Sequence, residues 1–353
     1  MTRVEPLLEV RNLKTHFFAE EGIVRAVDGV DFVVGRGKTL GVLGESGCGK
    51  SVTGFSILRL VQPPGRIVAG EILYYGLHMV DGNGPGAPLD LARCAPNSSQ
   101  MQSIRGAEIA MIFQESRTAL DPVYTVGSQL LEAIQHHQAL PREQAKAWGV
   151  EMFRRVGLPD PEATFNKYPH QLSGGMCQRA MIAIALSCQP KLLIADEPTT
   201  ALDVTTEAQV LRLIKDLQEE LGMALIFITH NLGVVAEMAD EIIVMYLGKV
   251  VERTDVRSLF EDPKHPYTQA LLRSVPQIGK KSGARLQTVP GSVPHPQNIP
   301  SGCPFHPRCP SRMPGLCNRK EPELLTLQDD RQVRCFLHDD EALKGAGFHV
   351  ANI

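Results

Sequence analysis

Eight residues, Gly44-Glu45-Ser46-Gly47-Cys48-Gly49-Lys50-Ser51, constrain this chain more than any other stretch. They follow the apolar run Leu40–Leu43 and precede Ser51–Leu60, whose spacing is helical until Gln62-Pro63-Pro64-Gly65 removes donors and supplies turn geometry. A strand, a glycine-rich loop and a helix in that order form a phosphate cradle. The glycines let backbone N–H groups turn inward, and the helix adds the positive end of its dipole. In that frame Lys50 neutralises β- and γ-phosphates, Ser51 offers its hydroxyl to Mg²⁺, and the contact residues run from Gly44 to Val52. A glycine-rich turn that fits the pattern by chance is the alternative, and the placement between strand and helix argues against it.

A second segment, Leu192-Leu193-Ile194-Ala195-Asp196-Glu197, is an apolar strand ending in two carboxylates. Such a strand leaves both acids at the C-terminal edge of a sheet, where doubly wound proteins bind ligands. Asp196 suits Mg²⁺ held through water, and Glu197 suits a general base that polarises an attacking water. A strand running into a solvated acidic turn is the plainer reading of this segment alone. Leu7–Leu13, Ile23–Val34, Ile109–Phe113, Ala224–Thr229 and Glu241–Tyr246 also read as strands; Val126–Val156, interrupted at Pro141, Leu172–Ser187 and Thr205–Leu221 read as helices. The alternation predicts an α/β fold with a doubly wound, largely parallel sheet. Residues 76–99, rich in Gly, Pro, Asn and Asp, read as an exposed insertion. After about Pro263 proline and glycine become dense, which marks a small C-terminal domain.

Composition excludes several classes. A net charge of -3, from 36 basic and 39 acidic residues, supplies no large positive field for nucleic acid. Met223–Ile228 and Ile242–Leu247, the longest strongly apolar runs, are strand-length, far below the ~20 residues of a spanning helix. Met1–Val10 has no basic segment followed by a long apolar one, so no signal peptide is read and the default compartment is the cytosol.

Between the two segments lies Leu172-Ser173-Gly174-Gly175-Met176-Cys177-Gln178-Arg179 at a helix start. Alone it reads as a helix capped by Ser173, with glycines for close packing. Together with the octet and the carboxylates it resembles the ATP-binding cassette (ABC) ATPases, whose signature motif is Leu-Ser-Gly-Gly. The resemblance implies ATP and Mg²⁺ as ligands and a phosphate-loop cassette with a mixed sheet core and a helical subdomain at about 115–188. It also implies further residues in fixed order. Phe17, beside Phe18, matches the aromatic that stacks on adenine. Gln114 resembles the Q-loop glutamine, which touches Mg²⁺ with Ser51 and Asp196. Asp203 resembles the D-loop, and His230 the switch histidine at the γ-phosphate. Glu197, His230, Gln114 and Lys50 are then the catalytic set. In this family two cassettes pair head to tail, so Leu172, Ser173, Gly174, Gly175 and Gln178 would serve the ATP held by the partner chain.

His265-Pro266-Tyr267-Thr268-Gln269-Ala270-Leu271-Leu272, followed by Ser274-Val275-Pro276, resembles the segment found after the cassette in oligopeptide, dipeptide and nickel importers. Gln114-Glu115, Thr118–Pro122 and Thr125-Val126-Gly127 resemble the Q-loop region of that group. Ser116-Arg117 departs from its proline-rich version, and Cys177 stands where Arg is common. The division implied is a nucleotide-binding domain over 1–262 and an extension over 263–353. Its partners would be two transmembrane permease subunits, a second cassette, preferably in a heterodimer, and an extracytoplasmic solute-binding protein. Its place would be the cytoplasmic face of the inner membrane. A nickel cargo, or a soluble ABC ATPase acting on nucleic acid or ribosomes, are the other readings.

The late cysteines, Cys303, Cys309, Cys317 and Cys335, lack the short Cys-x2–4-Cys knuckles of zinc ribbons. Four thiolates without histidine partners suit a [4Fe–4S] cluster, which some dipeptide-type importer ATPases carry; zinc or free thiols are the alternatives. Cys48 sits in the octet beside Lys50 and a helix N-terminus, a setting that lowers a thiol pKa. The expectation is that its alkylation blocks ATP and that ATP protects it; an inert small side chain is the alternative.

Overall fold

The computed structural model describes residues 5–76, 87–200, 202–274 and 289–347. Two long strands, β1 (Pro6–Ala19) and β2 (Gly22–Gly35), turn over Glu20 and Glu21 into an antiparallel hairpin. After β3 (Thr39–Leu43) and α1 (Lys50–Ile57), β4 (Gly65–Tyr74) returns beside β1 and pairs with the short β5 (Leu89–Asp90). Then α2 (Ser99–Ile104) and β6 (Ile109–Ile112) lead into the helices α3 (Ser116–Ala119), α4 (Val126–His137), α5 (Arg142–Arg155), α6 (Pro161–Phe165) and α7 (Gly174–Leu186). The chain re-enters the sheet through β7 (Leu192–Asp196), α8 (Val204–Leu221), β8 (Ala224–Thr229), α9 (Leu232–Met238), β9 (Glu241–Tyr246) and β10 (Lys249–Asp255). It ends with α10 (Val256–Glu261), α11 (Pro266–Ser274), β11 (Leu325–Thr326), β12 (Gln332–Val333) and α12 (Asp340–Gly345).

The strands make two sheets, β2-β1-β4-β5 and β11-β12-β10-β9-β3-β8-β7-β6. The expectation of a largely parallel sheet holds for the five strands from β9 to β6. The first sheet is antiparallel, because a two-residue turn joins only antiparallel neighbours. The reading of 76–99 as exposed is corrected in part. Leu91 is fully buried and Cys94 is buried as well, and Asp90 holds the turn by accepting from the N–H groups of Ile72 and Ala92. Residues 77–86, and the Val275-Pro276 end of the C-terminal motif, lie outside the described residues.

Alternation along the parallel strands divides the core. Ile109 and Met111 of β6, Leu192 and Ile194 of β7, and Ile226 and Ile228 of β8 face the antiparallel sheet. Ala110 and Ile112, Leu193 and Ala195, and Leu225 and Phe227 face the helices α4, α5, α7 and α8. The helix α1 is seated between the two sheets. A Cβ at Gly54 would stand 3.2 Å from Ile194 Cγ2, while Ser56 Oγ and Thr15 Oγ1 share a buried hydrogen bond of 2.8 Å.

The C-terminal segment is bound to the same core. β12 pairs with β10, and Tyr267 and Phe305 pack on Tyr246 of β9 with ring centroids 4.8 and 5.3 Å from it. The buried Glu252 of β10 accepts from the N–H groups of Lys264 (2.7 Å) and His265 (2.8 Å). His265 Nδ1 in turn accepts from Tyr267 N–H at 3.0 Å and caps α11. Burial holds His265 at about 3, with the charges of His338 and Arg334 acting in the same direction. The folded chain therefore keeps this imidazole neutral while the unfolded chain protonates below its ordinary 6.5. Its contribution is complete above that value and is lost as pH falls toward 3, by up to about 1.4 kcal/mol per pH unit. In denaturant titrations at pH 7 and pH 5, His265→Gln is expected to lose less stability over that interval than the parent chain.

Candidate nucleotide-binding site

The path from Leu43 to Lys50 is enforced by close backbone approach. A Cβ at Gly44 would lie 2.4 Å from Met245 O, and one at Gly49 would lie 2.1 Å from Ala26 O. Gly47 and Gly49 have φ of +80° and +102°, which glycine adopts without steric cost. Gly49 is the N-cap of α1, so the first N–H groups of that helix open toward the loop. Lys50 is 5% exposed, and its ammonium donates to the carbonyls of Gly44 (2.9 Å) and Glu45 (3.2 Å). Ser46 and Gly47 are exposed at the tip, and Val52 is half-buried on α1.

Ser51 Oγ donates to Asp196 Oδ1 at 3.0 Å, which ties the start of α1 to the end of β7. Burial raises the Asp196 carboxyl above the usual carboxylate range; the Ser51 hydroxyl opposes this and the charge of Glu197 adds to it. The next residue, Glu197, has φ of +45°, a conformation L-residues adopt at a cost, with its N–H on Ile228 O at 2.9 Å. Its carboxylate is surrounded: Oε2 accepts from Gln114 Nε2 (3.2 Å) and Thr200 Oγ1 (3.0 Å), and Oε1 lies 3.2 Å from His230 Nδ1 and 3.9 Å from Lys50 Nζ. Four separate loops thus meet at one carboxylate. Ser51, Asp196 and Gln114 line a single open cleft of about 520 Å³. Its hydroxyl and carboxylate oxygens suit a hard divalent cation whose remaining ligands come from phosphate and water.

The structure separates Phe17 from Phe18. Thr15 and Phe17 share a face of β1, the face that bonds α1 through Ser56, and the Phe17 ring lies over Gly65. Phe18 points away, with the Arg66 guanidinium 4.2 Å from its ring centroid.

The Leu-Ser-Gly-Gly segment lies in a different cleft. Ser173 caps α7 by accepting from Met176 N–H at 3.3 Å. Ser173, Gly174 and Gly175 share a cleft of about 370 Å³ with Asp203 and Thr206. Asp203 accepts from Thr206 N–H and caps α8. Leu172 and Gln178 are buried beneath this surface, and the Gln178 amide nitrogen has no partner among the described residues. Among the described residues the clefts of Ser51 and of Ser173 share no lining residue.

Two expectations about cysteines change. All eight are free thiols, and among the described residues no group of three or more His, Cys, Asp or Glu is arranged to hold a metal ion. The expected [4Fe–4S] cluster on Cys303, Cys309, Cys317 and Cys335 therefore gains no support from the structure. The Cys303 N–H donates to Cys317 O at 2.8 Å. Burial pushes the Cys303 and Cys335 thiols up to about 12 and raises Cys309 as well, with the neighbouring sulfurs adding to the rise. Cys48 is 2% exposed and its thiol is raised, because burial outweighs the charge of Lys50. Iodoacetamide at pH 8 is expected to leave Cys48 unlabelled in the folded chain with or without ATP and to label it once the chain is unfolded, as read by peptide mass spectrometry.

Three contacts lay beyond the reach of sequence motifs. Thr200 holds Glu197. From the C-terminal segment, Tyr267 Oη accepts from Glu45 N–H at 3.0 Å, and Arg308 forks onto the Glu45 carboxylate at 2.7 and 3.1 Å. Tyr267 stands in the segment that begins at His265, which marks it without saying what it touches, and Arg308 carries no motif signal beyond its charge.

Comparison with known proteins agrees with this geometry. Residues 27–200 match the ABC transporter family, and residues 251–317 match the oligopeptide/dipeptide transporter C-terminal region. The chain is 49% identical over 335 residues to the oligopeptide transport ATP-binding protein AppD of Bacillus subtilis, covering 95% of this chain and 98% of that one. It is 45% identical over 336 residues to the dipeptide transport ATP-binding protein DppD of Escherichia coli, with the same coverage. Among solved structures, the dimeric ATP-binding cassette MJ0796 bound to ADP and Pi superposes with a TM-score of 0.59 at 26% identity, over 71% of this chain and 99% of that one. On sequence, fold and C-terminal region together, this chain belongs to the ABC transporter family, among the members that carry the oligopeptide/dipeptide transporter C-terminal region.

Proposed function

We propose that the chain binds and hydrolyses ATP and thereby powers import of di- or oligopeptides through two membrane permease subunits supplied by an extracytoplasmic solute-binding protein. The observation that carries the chemistry is the Glu197 carboxylate, bracketed by Gln114, Thr200 and His230 within 3.2 Å and by Lys50 at 3.9 Å, at the end of the strand that also presents Asp196. Lys50 and the α1 N-terminus bind the β- and γ-phosphates. Ser51 and Asp196, with Gln114, would hold Mg²⁺, which would neutralise phosphate charge when bound. Glu197 takes the proton of the attacking water, Gln114 and His230 orient that water and the γ-phosphate, and Phe17 stacks on adenine. In this reading the Ser173 cleft completes the site of a second cassette, which is supported by its sharing no described lining residue with the cleft of Ser51. We take that second cassette to be a related but different chain. ATP closes the pair, and loss of the γ-phosphate lets it open and move the permeases.

Several features support the remaining assignments. The relatives named for oligopeptide and dipeptide transport favour a peptide cargo over nickel. The C-terminal region disfavours a nucleic-acid or ribosome ATPase. Among the described residues no helix is long and apolar enough to cross a membrane, consistent with a peripheral subunit on the cytoplasmic side. The division proposed is 1–262 for the cassette, with its helical part at 115–188, and 263–353 for the extension.

Glu197→Gln is expected to keep ATP affinity and to lower phosphate release about 100-fold or more. In mild detergent that variant, closed by ATP, should co-purify with two polytopic membrane proteins and a second cassette. Unchanged phosphate release removes Glu197 as base, and recovery of ribosomal or DNA-bound proteins overturns the transport reading.

The narrower proposal, an iron–sulfur cluster on the four late cysteines, rests on four thiols without histidine partners and on the backbone bond that brings Cys303 beside Cys317. Iron determination on anaerobically purified chain tests it. About four irons per chain with visible charge-transfer absorption are expected, and their absence removes the cluster.

A further inference from the structure

Glu45 is a carboxylate within a loop whose remaining chemistry is built for anions. Its carbonyl accepts from Lys50 and its N–H donates to Tyr267 Oη. Its side chain is gripped by Arg308, with Nη1 on Oε2 at 2.7 Å and Nη2 on Oε1 at 3.1 Å. Arg308 is itself fixed: its side chain is 4% exposed, its Nε donates to Pro290 O at 2.8 Å, and its guanidinium lies against the Tyr246 and Phe305 rings. It stands directly before Cys309, in the turn that begins at Cys303.

Two physical facts make this pair informative. An ion pair shielded from water gains little net stability, because desolvation offsets the Coulombic attraction, whereas removing one partner leaves the other charge uncompensated. An unpaired carboxylate on the loop, 27% exposed and so only partly screened by solvent, would also repel a triphosphate. A bidentate fork is the arrangement that both cancels the charge and fixes the direction of the carboxylate.

Building on the nucleotide site proposed above, we propose that Arg308 of the C-terminal extension is a positioning residue for ATP binding: it neutralises and orients Glu45, which keeps the phosphate loop attractive to the triphosphate. The extension thereby forms part of the nucleotide site, acting through one residue of the loop.

The test is equilibrium binding of ATP–Mg²⁺ to the full chain for the parent, Arg308→Ala, Glu45→Gln and the double variant, with thermal melting of the nucleotide-free proteins alongside. Arg308→Ala is expected to raise the ATP Kd about tenfold or more, equivalent to about 1.4 kcal/mol. Adding Glu45→Gln to it should recover most of that loss, since the unpaired charge is then gone. Unchanged Kd in Arg308→Ala overturns the proposal. So does a raised Kd that Glu45→Gln fails to recover, because a purely scaffolding arginine would behave in that way. If Arg308→Ala does not fold, Arg308→Gln, which keeps amide donors and drops the charge, carries the same expectations. A parent chain that binds no ATP overturns the nucleotide site itself, a result distinct from any of these.

Discussion

The structure depends on how closely one short loop can pass against the strands beneath it. Between Leu43 and Lys50 the backbone runs so near Met245 and Ala26 that a Cβ at Gly44 or Gly49 would overlap their carbonyl oxygens. The positive φ at Gly47 and Gly49 then turns the chain so that α1 starts with its N–H groups toward the loop. The same helix is fixed at its far end by Gly54 against Ile194 and by Ser56 against Thr15. One eight-residue helix is thus held between two sheets, and the antiparallel sheet that carries Phe17 is referenced to the parallel sheet that carries Asp196 and Glu197.

Around that frame the charges are arranged so that each one has a partner. Lys50 is sheltered among carbonyls and faces Glu197. Asp196 is shifted upward by burial and relieved by Ser51. Glu197 spends backbone strain to reach a point where four loops converge. That convergence follows from a parallel sheet, in which loops at the same edge come from strands distant in sequence. The Ser173 cleft is built by the helical layer instead, with the α7 and α8 N-termini side by side. Ser173 at the start of the signature helix and Ser51 at the end of the phosphate loop therefore line different clefts of the one chain.

The C-terminal segment is part of the same construction. Glu252 accepts from the backbone of Lys264 and His265, His265 caps α11, and α11 brings Tyr267 onto Glu45. The motif beginning at His265 therefore has a physical meaning: it docks the extension on the core at the level of the phosphate loop.

Much of the site was legible without coordinates. The octet, the Asp196-Glu197 pair and the Leu-Ser-Gly-Gly segment announce their chemistry through residue type and spacing. The strands β3, β7, β8 and β9 are apolar runs because both faces of each are buried, so periodicity alone reveals them. Strand β4, broken by Gly70 and bearing Arg66 and Glu71, and strand β10, bearing Glu252 and Arg253, carry no such signal; pairing with β1 and β9 makes them strands. The expected lowering of the Cys48 thiol pKa is reversed for a related reason, since proximity to a lysine is visible in sequence while burial is not. By itself the sequence determined which candidate groups for phosphate and metal binding the chain carries and in what order they occur. Only the tertiary structure decided which charges meet, because Glu45 and Arg308, 263 residues apart, become partners through packing of Tyr246, Tyr267 and Phe305 that no local pattern encodes.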